Sequence, residues 1–151
     1  MKIAVLGATG RTGSLVLAEA LSRGHQITAL ARNPSMPGRS DVDTVEGDIG
    51  DPNALIRVFE GADAMISPIG ARCRAVDLHT LLATNSIHAM TATGVKRFVG
   101  VSVGGLDVPG DRKGPRDRFI GVLARTLAGA ASGDREREYQ AWQASDRRGR
   151  Y

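Results

Sequence analysis

Residues 3–13 read Ile-Ala-Val-Leu-Gly-Ala-Thr-Gly-Arg-Thr-Gly, and no other stretch narrows the fold so far. Four β-formers, Ile3 to Leu6, run directly into Gly7-x-x-Gly10-x-x-Gly13, after which the pattern becomes helical. A strand, a tight turn and a helix start are thus forced together within a few residues of Met1. Such a junction gathers unpaired backbone N–H groups and the positive end of a helix dipole at one point, which suits a pyrophosphate. The expected division of labour is Gly7 for the turn, Gly10 for close approach of phosphate oxygens, and Gly13 for close packing of helix on strand. Thr9, Arg11 and Thr12 complete the set of turn residues assigned to binding.

The rest of the chain repeats the strand–helix alternation. Lys2–Leu6, Gln26–Ala31, Val42–Glu46, Ala62–Ser67 and Arg97–Ser102 read as strands. Helices are expected over Thr12–Arg23, with Leu15, Ala18 and Leu21/Ser22 toward the sheet and Gly24 as its terminator, then from Asp51-Pro52 through Phe59, and over Ala75–Thr93, closed by Gly94. Asp51 has the chemistry of an N-cap and Pro52 that of a first helical residue. Short alternating units imply a parallel sheet with right-handed crossovers, a doubly wound Rossmann α/β fold. Residues 33–38 and 103–115 read as loops. Beyond them helices are expected over Phe119–Ala131 and Asp134–Ser145, with Ser132 or Asp134 as cap. Residues 1–146 form the dinucleotide-binding domain in this reading and 147–151 a short basic tail.

Composition removes several function classes. The 151 residues are 42% hydrophobic and 24% charged, ordinary for a globular chain, with no apolar run long enough for a membrane span. Cys73 is the single cysteine, which excludes an internal disulfide and agrees with a reducing, cytoplasmic location. The three histidines have no metal-ligand spacing. Ten of the twenty Lys and Arg lie between Arg112 and Arg150, interleaved with acids, and read as a solvated helical face rather than a nucleic-acid surface.

The end of the second strand bears on which dinucleotide is bound. A carboxylate there would accept from an adenosine ribose and mark NAD(H), but the residues are Ala31-Arg32-Asn33. Arg32 can fork onto a 2′-phosphate, with Arg11 as a second cation, so NADP(H) is favoured over NAD(H). The alternative is that Arg32 is simply an exposed loop arginine. Ser67, Pro68, Ile69 and Gly70 end the fourth strand, where ligands of open α/β sheets lie, and are expected to pass along the ribose and pyrophosphate.

Gly-Ala-Thr-Gly-x-Thr-Gly over Gly7–Gly13 resembles the atypical and extended short-chain dehydrogenase/reductase proteins, most of all their NmrA-like and flavin/biliverdin-IXβ reductase branch. The resemblance runs from Met1 to about Asp146, through Ala29-Leu30-Ala31-Arg32, Gly47-Asp48-Ile49 and Phe98-Val99-Gly100-Val101-Ser102. It implies that Asp48 accepts from the adenine amino group while Ile49 packs on the ring; on the residues alone, Asp48 caps the following turn. It also implies a sixth strand and a C-terminal substrate portion, which this sequence lacks. The extended enzymes pair a Ser/Thr after strand five with Tyr-x-x-x-Lys. Here Ser102 is the candidate catalytic hydroxyl, with strand termination as its other role, and Tyr139 is followed at plus four by Gln143.

Two readings follow. One is an NADPH-dependent reductase that passes hydride to a flavin or similar small acceptor needing little acid catalysis. The other is a non-catalytic NADP(H) sensor of NmrA-like type, whose output is a protein contact. A sugar-nucleotide epimerase ranks third because Tyr-x-x-x-Lys is missing. A homodimer is left open.

Overall fold

Lys2–Leu6 (β1) is the centre of a five-stranded sheet in the computed structural model, which describes residues 1–33, 40–70, 77–101, 114 and 130–146. Gln26–Ala31 (β2), Asp43–Glu46 (β3), Ala64–Ser67 (β4) and Phe98–Gly100 (β5) complete it in the order β3-β2-β1-β4-β5, every pair parallel. The order reverses direction between β1 and β4. In a doubly wound sheet that reversal opens a crevice at the strand carboxyl ends. The expected Rossmann architecture is therefore present.

Period-two alternation along β1 feeds two cores. Ile3 and Val5 join Leu17, Ala20, Ile27 and Ala29 on one face of the sheet. Ala4 and Leu6 join Leu55, Phe59, Met65, Leu82 and Met90 on the other. Both faces of the central strand are buried, which is why it reads as an unbroken apolar run. Each large side chain so enclosed contributes about 1.5–3 kcal/mol relative to exposure.

Four described helices cover these faces: Arg11–Ser22 (α1), Pro52–Phe59 (α2), Leu78–Thr93 (α3) and Ala130–Asp146 (α4). The start of α2 is as the sequence requires, with Asp51 accepting from the Asn53 N–H at 2.9 Å and Pro52 in the first turn. Gly24 and Gly94 follow their helices in left-handed conformation, at φ 73° and 78°.

The inward face of α1 differs from expectation. Gly13, Leu17 and Ala20 are buried, whereas Leu15 is 71% exposed and Ala18 is exposed too. Gly13 decides this. A Cβ there would stand 2.1 Å from the Gly7 carbonyl oxygen, so the glycine itself is the contact point. Positions four and seven further along then face the sheet, and the more apolar Leu15 is turned outward.

The C-terminal region also departs from expectation. Residues 119–129 lie outside the described set, but α4 already includes Ala130 and Ala131 and runs through Ser132 and Asp134 without a break. Asp134 caps a different helix, described below. Arg135, expected on a solvated face, is 4% exposed. Trp142 stacks on Phe98 at 3.9 Å between ring centroids and 13° between planes, joining α4 to β5. None of the helices among the described residues is long and apolar enough to cross a membrane.

Candidate functional site

The Gly7–Gly13 turn stands at the crevice predicted by the strand order. Gly7 adopts φ 76°, a conformation that disfavours any side chain, and a Cβ on it would approach Ile69 Cγ1 to 2.8 Å. Gly10 sits at the N-cap of α1 in extended conformation, with no side-chain cap. Its own N–H closes the turn onto the Gly7 carbonyl at 3.0 Å, and its carbonyl accepts from Ser14 N–H at 2.8 Å. The N–H groups of Arg11, Thr12 and Gly13 therefore have no intrahelical acceptor. Among the described residues a Cβ on Gly10 would meet only the Gly7 oxygen, at 3.3 Å. Thr9, Gly10, Arg11 and Thr12 are all exposed.

Two clefts flank this turn. One, of about 190 Å³, is lined by Gly7, Thr9, Arg32, Asp48, Ile49, Ile69 and Leu78 among others. The second, of about 680 Å³, is lined by Gly7, Thr9, Gly10, Arg11, Thr12, Pro68, Ile69 and Gly70. Gly7, Thr9 and Ile69 belong to both, so the clefts meet at the glycine turn. Together they bring to one place every assigned binding residue except Ser67 and Gly13, the latter buried against the Gly7 carbonyl. Ser67 is 3% exposed with its hydroxyl unpartnered among the described residues, and its carbonyl accepts from Val101 N–H at 3.1 Å. Ser102, like Cys73, lies outside the described residues.

In the smaller cleft, Arg32 is exposed at its mouth, at the end of β2. Asp48 does serve its turn, accepting from Gly50 N–H through Oδ1 at 2.9 Å. Its exposed carboxylate faces the cleft as well, so turn capping and cleft lining coexist. Ile49 is 8% exposed and links this wall to the main core.

Two supports of this wall went unread in the sequence. Gly47 is one: a Cβ there would lie 2.4 Å from Ala54 Cβ, so the turn rests directly on α2. Asn85 is the other, donating from Nδ2 to the Ile49 carbonyl at 2.9 Å.

A buried polar cluster lies behind the crevice, where α3 meets α4. Asp134 accepts from the N–H groups of His79 and Thr80 at 2.8 and 2.9 Å, and from the Thr80 hydroxyl at 2.6 Å. Asp77, the residue preceding α3, makes no cap bond of its own. Burial works to raise the Asp134 pKa, but the Thr80 hydroxyl and the two N–H donors outweigh it, and the carboxyl is held below its ordinary range. His79 is 5% exposed; burial first, and the Arg135 charge second, push its imidazole below its usual pKa. Burial raises Glu138 despite its bond from Arg135. Tyr139 accepts from Gln143 Nε2 at 2.6 Å, so the residue at plus four is a hydrogen-bond partner and not a lysine.

A family model described as NAD(P)H-binding matches residues 7–145. The chain belongs to the NAD(P)H-binding family. The cofactor class is thereby NAD(P)H, and the Rossmann fold is shared with a short-chain dehydrogenase/reductase of Veillonella parvula, at TM-score 0.67 and 19% identity over 91% of this chain and 62% of that one. The chain is 39% identical over 80 residues to YwnB of Bacillus subtilis, covering 52% of this chain and 36% of that one. It is 34% identical over 145 residues to the isoflavone reductase homolog IRL of Zea mays, covering 89% and 43%. ChuY, an anaerobillin reductase from Escherichia coli O157:H7, superposes with TM-score 0.75 at 21% identity, covering 95% of this chain and 67% of ChuY. The chain thus spans less than half the length of these two curated sequence relatives.

Proposed function

We propose that this chain is an NADPH-dependent reductase domain that binds its cofactor across the glycine turn and delivers hydride to a flavin or similar small acceptor. The observation that carries the reading is the meeting of two clefts at Gly7, Thr9 and Ile69, beside a helix N-terminus without a side-chain cap. A dinucleotide has two nucleoside halves joined by a pyrophosphate, and this arrangement offers a place for each. The reductase names of IRL and ChuY support the same class of chemistry.

Each residue then has a task. The free N–H groups of Arg11, Thr12 and Gly13 receive the pyrophosphate, helped by the α1 dipole. Asp48 and Ile49 hold the adenine edge and face in the smaller cleft. Arg32, with no carboxylate beside it, takes the adenosine 2′-phosphate, and Arg11 adds a second positive charge. Pro68, Ile69 and Gly70 wall the larger cleft, and Ser102 is assigned to orient the nicotinamide amide or an acceptor carbonyl. When bound, the cofactor supplies the hydride. An acceptor whose reduced form takes its proton from solvent needs no tyrosine–lysine pair, consistent with the Tyr139–Gln143 bond. The same Tyr139 arrangement is what favours the second reading, a sensor that binds NADP(H) without turnover.

Titration with NADPH and NADH, followed by steady-state NADPH oxidation with a panel of flavins, tests the proposal. NADPH is expected to bind more tightly than NADH, and at least one flavin to be reduced. In Arg32→Ala, NADPH should lose a charge-assisted bond of about 1.5–3 kcal/mol, roughly ten- to hundred-fold in affinity, while NADH barely changes. Equal losses for both would remove Arg32 from the phosphate site. Tight NADPH binding with no oxidation by any flavin would favour the sensor.

A further inference from the structure

Arg135 is on α4, yet its guanidinium reaches the carboxyl ends of two strands. Nη1 donates to the Val101 carbonyl at 3.2 Å, and Nη2 to the Ile69 carbonyl at 3.4 Å. Nη1 also donates to Glu138 Oε2 at 3.0 Å, which gives the buried cation its counter-charge. Removing such a side chain from water is costly unless its fork is used, and here it spans the exits of β4 and β5. Ile69 is the residue shared by both clefts, and its Cγ1 lies against Gly7, 2.8 Å from where a Cβ would stand. Arg135, Ile69 and Gly7 therefore form one line of contact from α4 to the glycine turn. Val101 immediately precedes Ser102.

The charges around Arg135 are Glu138 and Asp134 from its own helix and His79 from α3, whose Nδ1 is 3.6 Å from the same Glu138 oxygen. With His79 held toward its neutral form by burial and by Arg135, it does not displace Arg135 from Glu138.

We propose that Arg135 is a positioning residue that fixes the gap between the glycine turn and the β4 and β5 exits, and thereby holds the cofactor beyond its adenosine half. This rests on the reading that the dinucleotide lies across the Gly7–Gly13 turn. No described part of α4 lines either cleft, so Arg135 acts through the two carbonyls it grips.

The test compares wild type, Arg135→Met and Arg135→Lys by titration with NADPH and with 2′,5′-ADP, a probe that has the adenosine and its 2′-phosphate but no nicotinamide. Arg135→Met should bind 2′,5′-ADP within about three-fold of wild type and NADPH at least about ten-fold more weakly, a difference of about 1.4 kcal/mol or more. Arg135→Lys keeps the charge but loses the fork, and should fall between. A purely structural role lowers the folded fraction and weakens both probes by the same factor. That parallel loss, or unchanged NADPH affinity, overturns the inference. If Arg135→Met does not fold, the ratio of the two affinities in Arg135→Lys decides, and an unshifted ratio overturns the inference. Wild type that binds neither probe overturns the cofactor reading and this inference with it.

Discussion

The helices α1 and α3 cover opposite faces of the sheet, each following the carboxyl end of a central strand in sequence, and they treat their free N–H groups in opposite ways. At α3 the protein supplies its own anion, the Asp134 carboxylate, which takes two N–H donors and the Thr80 hydroxyl. At α1 the cap is Gly10, which makes no side-chain cap bond to the first-turn N–H groups, and Thr9, Arg11 and Thr12 are exposed. A helix start satisfied from within is structural, whereas one left open beside two joined clefts is available to a ligand phosphate. The contrast separates the glycines as well: Gly13 is required by packing, while at Gly10 the one close neighbour of a Cβ among the described residues is the turn oxygen, at 3.3 Å.

The largest expected effect comes from filling the packed position. Gly13→Ala places a Cβ 2.1 Å from the Gly7 oxygen, and nearby atoms there are backbone that cannot swing aside. Destabilisation of about 3 kcal/mol or more is expected in urea unfolding, toward the upper end for overpacking. A loss under about 1 kcal/mol would mean that α1 is not pinned at Gly13.

Next is the internal cap. Asp134→Ala strips α3 of its anion and leaves one buried and one partly buried N–H group unpaired, for an expected loss of about 2–4 kcal/mol. The sign of its pH dependence follows from the lowered native pKa. The Asp134 contribution is fully present above the unfolded-state value of about 3.9 and is lost as pH falls toward the native value. The stability gap between wild type and Asp134→Ala should therefore narrow on acidification below about pH 4. A gap independent of pH would show that the carboxylate charge is not what stabilises α3. His79 adds a loss of its own in the wild type, because its lowered pKa means that the unfolded state takes up the proton first as pH falls below about 6.5.

The same contrast explains what the sequence could reveal. The open helix start is built from neighbours in sequence, so β1, the glycine turn and α1 could be read within two residues, as could the Asp51 cap of α2. The parallel, doubly wound sheet followed from strand–helix alternation. The α1 face was misread because apolarity pointed to Leu15, whereas the contact that orients the helix is made by a glycine with no side chain. The closed helix start joins Asp134 to His79 and Thr80 across more than fifty residues, a pairing that no local pattern encodes. Arg135 was likewise assigned to solvent because interleaved charges look alike whether a helix faces water or strand ends. Its carbonyl partners, Ile69 and Val101, belong to other elements.

Gly10→Val offers the most direct test of the claim that the α1 start is left open for a dinucleotide, using NADPH titration and thermal unfolding of the same sample. The side chain would project into the space above the turn, with the Gly7 oxygen as its only close neighbour among the described residues. The account predicts a melting temperature within several degrees of wild type, reflecting about 1 kcal/mol for a poorer N-cap. It predicts NADPH affinity lowered by about a hundred-fold or more, roughly 2.7 kcal/mol. A folded Gly10→Val protein that binds NADPH as the wild type does would contradict it.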